Sequence, residues 1–245
     1  MIYQYDGSFF GYLSAVFDAW HDGLDQVDDI RCHDTGSLFS PVKQVCQDEG
    51  KAARILESLR TKCGAKAAHF LYYGFLAEEP QRERKLLAYL QLAFRLQGQF
   101  GAHLSDPVLW EVRKWAQKTG NERHKLLGLA RYQELDGGML YCRLAPTCCV
   151  VPLMAPHFIR RLSGEEWVLH DTRRQLGVYY RQGEAMIVEI PQTLADIAVS
   201  ADEQQFASLW KRYYDTIAIA ERHNERLRMQ YMPKKYWQYL TEMTE

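Results

Sequence analysis

"EEWVLHDTRRQLGVYYRQGEAMIVEI", residues 165–190, decides the fold class. Apolar, β-branched and aromatic residues crowd "EEWVLHD", "QLGVYYR" and "EAMIVEI", and Gln182-Gly183 is a two-residue turn signal. The stretch therefore reads as a strand, a second strand and a closing hairpin. Upstream, from residue 129, "LARYQEL", the turn "DGG" and "MLYCRLAP" read as another hairpin. Between the two, "VVPLMAPHFIRRL" has the spacing of a short helix, with Pro152 and Pro156 confined to its start. Residues 129–190 are thus expected to form an antiparallel sheet with one connecting helix.

The flanks are helical. "MIYQYD" is a short strand, Asp6-Gly7 a turn, and Ser8 the N-cap of a helix carrying Phe9, Leu13, Val16, Phe17 and Trp20 and ending at Gly23. A polar loop leads to a strand at about Lys43 to Cys46. Helices follow at "KAARILESLRTKC" and "AKAAHFLYYGFLAE", parted by Gly64, and at "RERKLLAYLQLAFRLQGQF". Asp106 and Pro107 open "PVLWEVRKWAQKTG". "NERHKLLGLARYQEL" starts helical and leads toward a strand near Leu129. After Pro191 come "DEQQFASLWKRYYDTIAIAERHNERLRMQ" and "PKKYWQYLTEM". The class is α+β: a helical N-terminal half, a central antiparallel sheet with its helix, and a helical C-terminal tail. The expected organisation is a single domain, 1–245, with 1–128, 129–190 and 191–245 as possible subdivisions.

The chain has 245 residues, 47% hydrophobic and 25% charged, enough for a sizeable core. No apolar run has the length of a membrane span, and "MIYQYDGSFFGYL" lacks the features of a signal peptide, so a cytoplasmic protein with no membrane partner is expected. The six cysteines show no CxxC pair and read as reduced thiols. Cys32, His33 and Cys46 match no standard zinc spacing, and no metal or cofactor is expected. Net charge is −1, but residues 1–50 hold nine acids against two bases. The remainder therefore carries 28 bases against 22 acids, or +6, and residues 205–240 carry seven against three.

The sequence contains no phosphate-binding glycine loop, GxGxxG fingerprint, GxSxG elbow or HExxH helix. The most chemically loaded stretch is "APHFIRR". On a helix, His157 and Arg161 share a face, Pro156 marks an N-terminus that favours anions, and Arg160 and Arg161 add donors for a phosphate. The alternative is a solvated amphipathic helix. In "HDTRR", Asp171 and Arg173 share a strand face and position a phosphate, or His170 works with Asp171 as a base, or the pair is structural. In "MPKKYW", Lys234 and Lys235 stand beside Tyr236, Trp237 and Tyr239. On spacing that reads as a packed terminal helix; the same composition also occurs in single-strand binding surfaces.

"YDGSF", "PLMAPHFIRR", "WVLHDTRR", "LWKRYYDTIAI" and "MPKKYW" together resemble a bacterial family of unknown function, over nearly the whole chain from Tyr3 to Leu240. Its members are described as proteins of DNA metabolism or DNA repair. Related domains are fused to uracil-DNA-glycosylase-like domains, and standalone members accompany a radical-SAM protein of DNA modification or repair. The resemblance implies nucleic acid and a partner enzyme, without a reaction or catalytic residues. Two departures stand out. Cys148-Cys149 replaces a His-Asn pair, and "IAIAER" replaces "NPAR" of the fused relatives.

The leading expectation is a DNA-handling accessory protein that binds single-stranded or damaged DNA and docks a radical-SAM enzyme. Its surface would comprise His157, Arg160, Arg161, Asp171, Arg173, Arg174, Lys234, Lys235 and Trp237. The alternatives are a phosphodiesterase or base-processing enzyme using His157, His170 and Asp171, and a protein-interaction scaffold presenting an exposed apolar patch.

Overall fold

A computed structural model describes residues 1–32, 40–191, 200–217 and 224–243. The contacts group into two compact units, Met1–Gly120 and Asn121–Glu245.

The first unit opens with a small parallel sheet in the order β2-β1-β3, formed by β1 (Ile2–Gln4), β2 (Asp29–Arg31) and β3 (Val42–Gln44). Parallel neighbours need a crossover, and α1 (Phe9–Asp22) supplies the one between β1 and β2. Ser8 caps α1 by accepting from the Gly11 N–H at 2.8 Å, and Gly23 closes it at φ 99°. Strand β2 lies in what the sequence presents as a polar loop. It is three residues long with one buried side chain, Ile30, too short to show alternation.

Helices α2 (Glu49–Cys63), α3 (Ala65–Phe75) and α4 (Arg82–Leu96) follow. Gly64, at φ 88°, lets the chain turn between the first two. Helix α5 (Pro107–Leu129) starts at the expected Asp106 cap, whose carboxylate accepts from Val108 N–H at 2.9 Å. It does not break at Gly120. Leu109, Val112, Ala116 and Thr119, then Glu122, Leu126 and Leu129, keep one buried stripe at helical spacing through that glycine. This burial outweighs the roughly 1 kcal/mol that a helical glycine costs.

The second unit is built on a five-stranded sheet of consecutive order: β4 (Gln133–Glu134), β5 (Leu140–Leu144), β6 (Trp167–Asp171), β7 (Leu176–Arg181) and β8 (Glu184–Glu189). The expected strands and hairpins are present, and the class is α+β. The sheet itself is mixed rather than antiparallel. β5 and β6 run parallel, Leu140 opposite Trp167 and Leu144 opposite Asp171, because α6 (Val151–Arg161) carries the chain back to the edge where β5 began. Gln182 and Gly183 both have positive φ, 51° and 91°, as the tight β7–β8 turn requires.

Helix α6 buries Val151, Met154, Ala155 and Phe158. Phe158 meets Trp167 at 6.2 Å between ring centroids, and Trp167 stacks on Tyr180 at 5.2 Å. Another cluster of buried side chains gathers Leu135, Tyr141, Val168 and Ile190. Helices α7 (Ala201–Ile217) and α8 (Glu225–Tyr231) follow, and the tail proves to be two 3₁₀ segments, Lys234–Tyr239 and Thr241–Met243, rather than an α-helix. The position of the family's "NPAR", Ile217 to Arg222 here, lies from residue 218 onward outside the described residues, as does His33.

Gly177 has no room for a methyl group: a Cβ there would sit 2.2 Å from Ile190 Cδ1 and 3.1 Å from its Cγ1. Gly177→Ala is expected to destabilise the protein by about 1–3 kcal/mol through overpacking, and adding Ile190→Val, which removes Cδ1, should recover part of that loss. Urea unfolding of the two variants checks both statements. An equal loss with and without the second change would remove the steric explanation.

Candidate nucleic-acid interface

Strands β5 and β6 end side by side, at Leu144 and Asp171, and the loop from Ala145 to Val150 leaves from that edge. Asp171 is fully buried. One of its oxygens accepts from the N–H groups of Arg173 at 3.0 Å and Arg174 at 3.3 Å, and the other takes Arg174 Nη1 at 2.7 Å. Burial pushes the carboxyl above its ordinary value, against the pull of Arg174. Because β6 stops at Asp171, its ionic partner is Arg174, three residues on, and not the side chain of Arg173. Arg174 also donates to the carbonyls of Pro146 at 3.2 Å and Thr147 at 2.7 Å, so it ties the turn after β6 to the loop after β5. Arg173 gives one guanidinium N–H to Pro146 at 3.2 Å and is otherwise exposed.

The same loop is held from a second side by Glu122 on α5, a residue the sequence does not single out. Its carboxylate accepts from Thr147 N–H at 2.9 Å, Cys148 N–H at 2.7 Å and Lys235 Nζ at 2.8 Å, and from the Tyr236 hydroxyl. Burial raises the pKa of this carboxyl, but the four donors win and hold it at about 2. This arrangement alters the expected anion site. Pro156 lies inside α6, not at its N-terminus; the helix begins at Val151 with Pro152 second. Two N–H groups of the loop leading into it already face a carboxylate of the protein.

Glu122 also decides the fate of the tail. Lys235 is committed to Glu122 and to Thr147 Oγ1, 2.7 Å away, and Tyr236 is buried. Tyr239 bonds Thr172 at 3.0 Å. Lys234 stays exposed, 5.6 Å from the Trp237 ring centroid, and the Arg228 guanidinium lies 5.0 Å from the same centroid. Trp237 is half-buried, its Nε1 fixed to the Met232 carbonyl at 2.8 Å. Arg173 is thus tied to this loop through Pro146, and Lys235, the neighbour of Lys234, through Thr147.

Arg160 and Arg161 occupy the last turn of α6, about 15 Å along the helix from Val151 at 1.5 Å per residue. Both are exposed, without a hydrogen-bond or ion-pair partner among the described residues. His157 sits one turn before Arg161 and meets Phe158 edge-on at 5.0 Å. His170 is buried, with Nδ1 bonded to the Tyr141 hydroxyl at 2.6 Å and Nε2 unpartnered among the described residues. Burial, aided by Arg143, lowers its pKa. As neighbours on one strand, His170 and Asp171 point to opposite faces of the sheet. The structure therefore does not bring His157, His170 and Asp171 into one constellation. Among the described residues no group of His, Cys, Asp and Glu side chains is placed to hold a metal ion, and no helix is long and apolar enough to cross a membrane.

The family model described as "Domain of unknown function (DUF4130)" matches residues 80–242, more than half of the chain. The chain belongs to the DUF4130 family. No curated protein and no solved structure matches it. The DUF4130 region contains Glu122, the Asp171–Arg174 turn and the Lys234–Trp237 tail, and it excludes the small parallel sheet of the first unit. The second unit carries 16 Lys and Arg against 16 Asp and Glu, so any basic surface of the DUF4130 region there is local. The basic excess of the chain lies instead in residues 51–120, with twelve against six.

Glu122 makes a stability prediction with a definite sign. Its folded-state value of about 2 lies below the ordinary 4.5, so its contribution is present above pH 4.5 and disappears as pH falls from 4.5 toward 2. The difference corresponds to about 3 kcal/mol. Glu122→Gln should therefore be destabilised relative to the parent at pH 7, and the gap should narrow as pH falls through that window. Urea unfolding of both proteins at several pH values measures the gap; a gap independent of pH contradicts the role assigned to the carboxylate.

Proposed function

We propose that the chain is an accessory protein of DNA metabolism that holds single-stranded or damaged DNA on its second unit. The observation that carries this reading is the tail: Arg228 and Lys234 lie at 5.0 and 5.6 Å from the Trp237 ring, and the adjoining Lys235 is bonded to Thr147 of the loop that also holds Arg173. Aromatic surface beside cations is the usual equipment for strands read without sequence preference. In the free protein the two cations rest against the indole. On binding, a base takes their place on the ring and the cations move to neighbouring phosphates. Arg174 and Lys235 serve differently, since their donors are spent on Asp171, Glu122 and the loop. They shape the surface and contribute little direct contact. Arg160 and Arg161 offer a second phosphate contact at the far end of α6. The resemblance to proteins of DNA metabolism points the same way.

A second reading rests on α7. Phe206, Leu209, Tyr213 and Ile217 are each more than half exposed and follow helical spacing. Such a face suits a protein partner. In this reading the partner is the radical-SAM enzyme implied by the resemblance, which makes the two readings compatible.

Fluorescence anisotropy with a labelled single-stranded oligonucleotide at two salt concentrations tests the first reading. Arg173→Ala and Lys234→Ala should each weaken binding by about fivefold and flatten the salt slope by about one. Arg161→Ala should do so for an oligonucleotide long enough to span α6, of about ten nucleotides, and not for a trinucleotide. Unchanged affinity and slope in all three would remove the proposed surface. For the second reading, Phe206→Ser with Tyr213→Ser should abolish co-elution with the radical-SAM enzyme while leaving oligonucleotide affinity intact.

A further inference from the structure

The first unit contains a cavity of ≈ 560 Å³ between the start of α1, the outer side of α2 and one face of α3. It lies in the segment before residue 80, outside the DUF4130 match. Its size falls within the roughly 300–1,000 Å³ of small-molecule sites. The sequence builds it in three steps. Ser8 caps α1 and so brings Phe9 and Phe10 to the helix start. Gly64 turns the chain so that α3 follows directly on α2. Helical spacing then places Ala65, Ala68, His69 and Tyr72 along one wall.

The lining is chemically asymmetric. Phe9, Phe10, Tyr72 and His69 supply flat rings, with Phe9 and Tyr72 at 4.8 Å between centroids and Phe10 41% exposed. The one Lys, Arg, Asp or Glu among the lining residues is Arg60, exposed and without an ion-pair partner among the described residues. Gln47, which follows β3, holds its side-chain amide 3.0 Å from Ser8 Oγ, a hydroxyl that also lies 2.7 Å from Asp6 Oδ1, so one end of the amide meets Ser8 and the other remains for a ligand. Rings to stack on, an amide to bond a polar edge and an arginine for an anion select a planar heteroaromatic group carrying a phosphate.

We propose that this cavity binds a nucleoside monophosphate, its base stacked against Phe10 and Tyr72 and bonded by Gln47, its phosphate on Arg60. The nucleotide comes either free or as the 5′-phosphorylated end of a strand. The site shares no residue with the Trp237 surface and stands whether or not that surface binds DNA.

Isothermal titration of the full chain with adenosine and thymidine 5′-monophosphates, and with the corresponding nucleosides, tests it. Saturable binding below about 1 mM is expected for the monophosphates, with the nucleosides about tenfold weaker. Arg60→Ala should abolish that preference, and Phe10→Ala should weaken both kinds of ligand. Both residues are exposed, so the variants are expected to fold, which their unfolding curves verify. Displacement of the monophosphate by a 5′-phosphorylated oligonucleotide, and not by its 5′-hydroxyl form, identifies the strand end as the source. Displacement by neither identifies the free nucleotide. Absence of saturable binding, or binding indifferent to both substitutions, overturns the proposal. Oligonucleotide affinity weakened by Lys234→Ala but kept on Arg60→Ala reports on the other surface alone.

Discussion

A carboxylate taken out of water must be met by donors, and in the second unit Glu122 is met by four. The donors come from two stretches of chain, two N–H groups from the loop after β5 and an ammonium and a hydroxyl from the tail, and the carboxylate they meet stands on a third, α5. Removing any one donor leaves a buried charge less well compensated, which is costly in a medium of low polarity. The loop that Glu122 steadies is the same one that Arg174 grips through Asp171. Two buried acids therefore fix a segment with no regular structure of its own, and that segment sets the positions of Arg173 and of the residues beside Lys235.

Much of the fold was legible because it is written in local chemistry. Ser8, Gly23, Gly64, Asp106 and the Gln182-Gly183 turn all act where the sequence puts them, since caps and turns depend on neighbours within a few residues. The direction of β6 against β5 was not legible in the same way. Strand pairing is a long-range property, and a short helix between two strands fits a return in either sense until the crossover is seen. Strand β2 escaped because Ile30 alone carries its burial. The candidate site was the least legible part. Glu122 sits in "NERHK" with nothing local to mark it, and its partners lie 25 to 114 residues away.

Charge counting misled in a related way. The tail has a basic sequence, but Lys235 and Arg174 are consumed by internal acids while Lys234, Arg173, Arg160 and Arg161 are exposed. A sequence gives the number of cations; only geometry says which of them still have donors to offer a ligand. The same distinction separates the two units. The aromatic cavity of the first has one arginine in its lining, whereas the tail of the second places two cations against a ring.

The distance along the chain between Glu122 and its last two partners has a consequence for biosynthesis. A polypeptide emerges from the ribosome N-terminus first, and domains begin to fold as they appear. Helix α5, the sheet and α6 are all synthesised more than forty residues before Lys235 and Tyr236. During that interval Glu122 has only the loop N–H groups as partners. Arrival of the 3₁₀ segment at 234–239 then closes the unit, so a nascent chain stalled just short of it would carry an almost complete sheet around an incompletely neutralised acid.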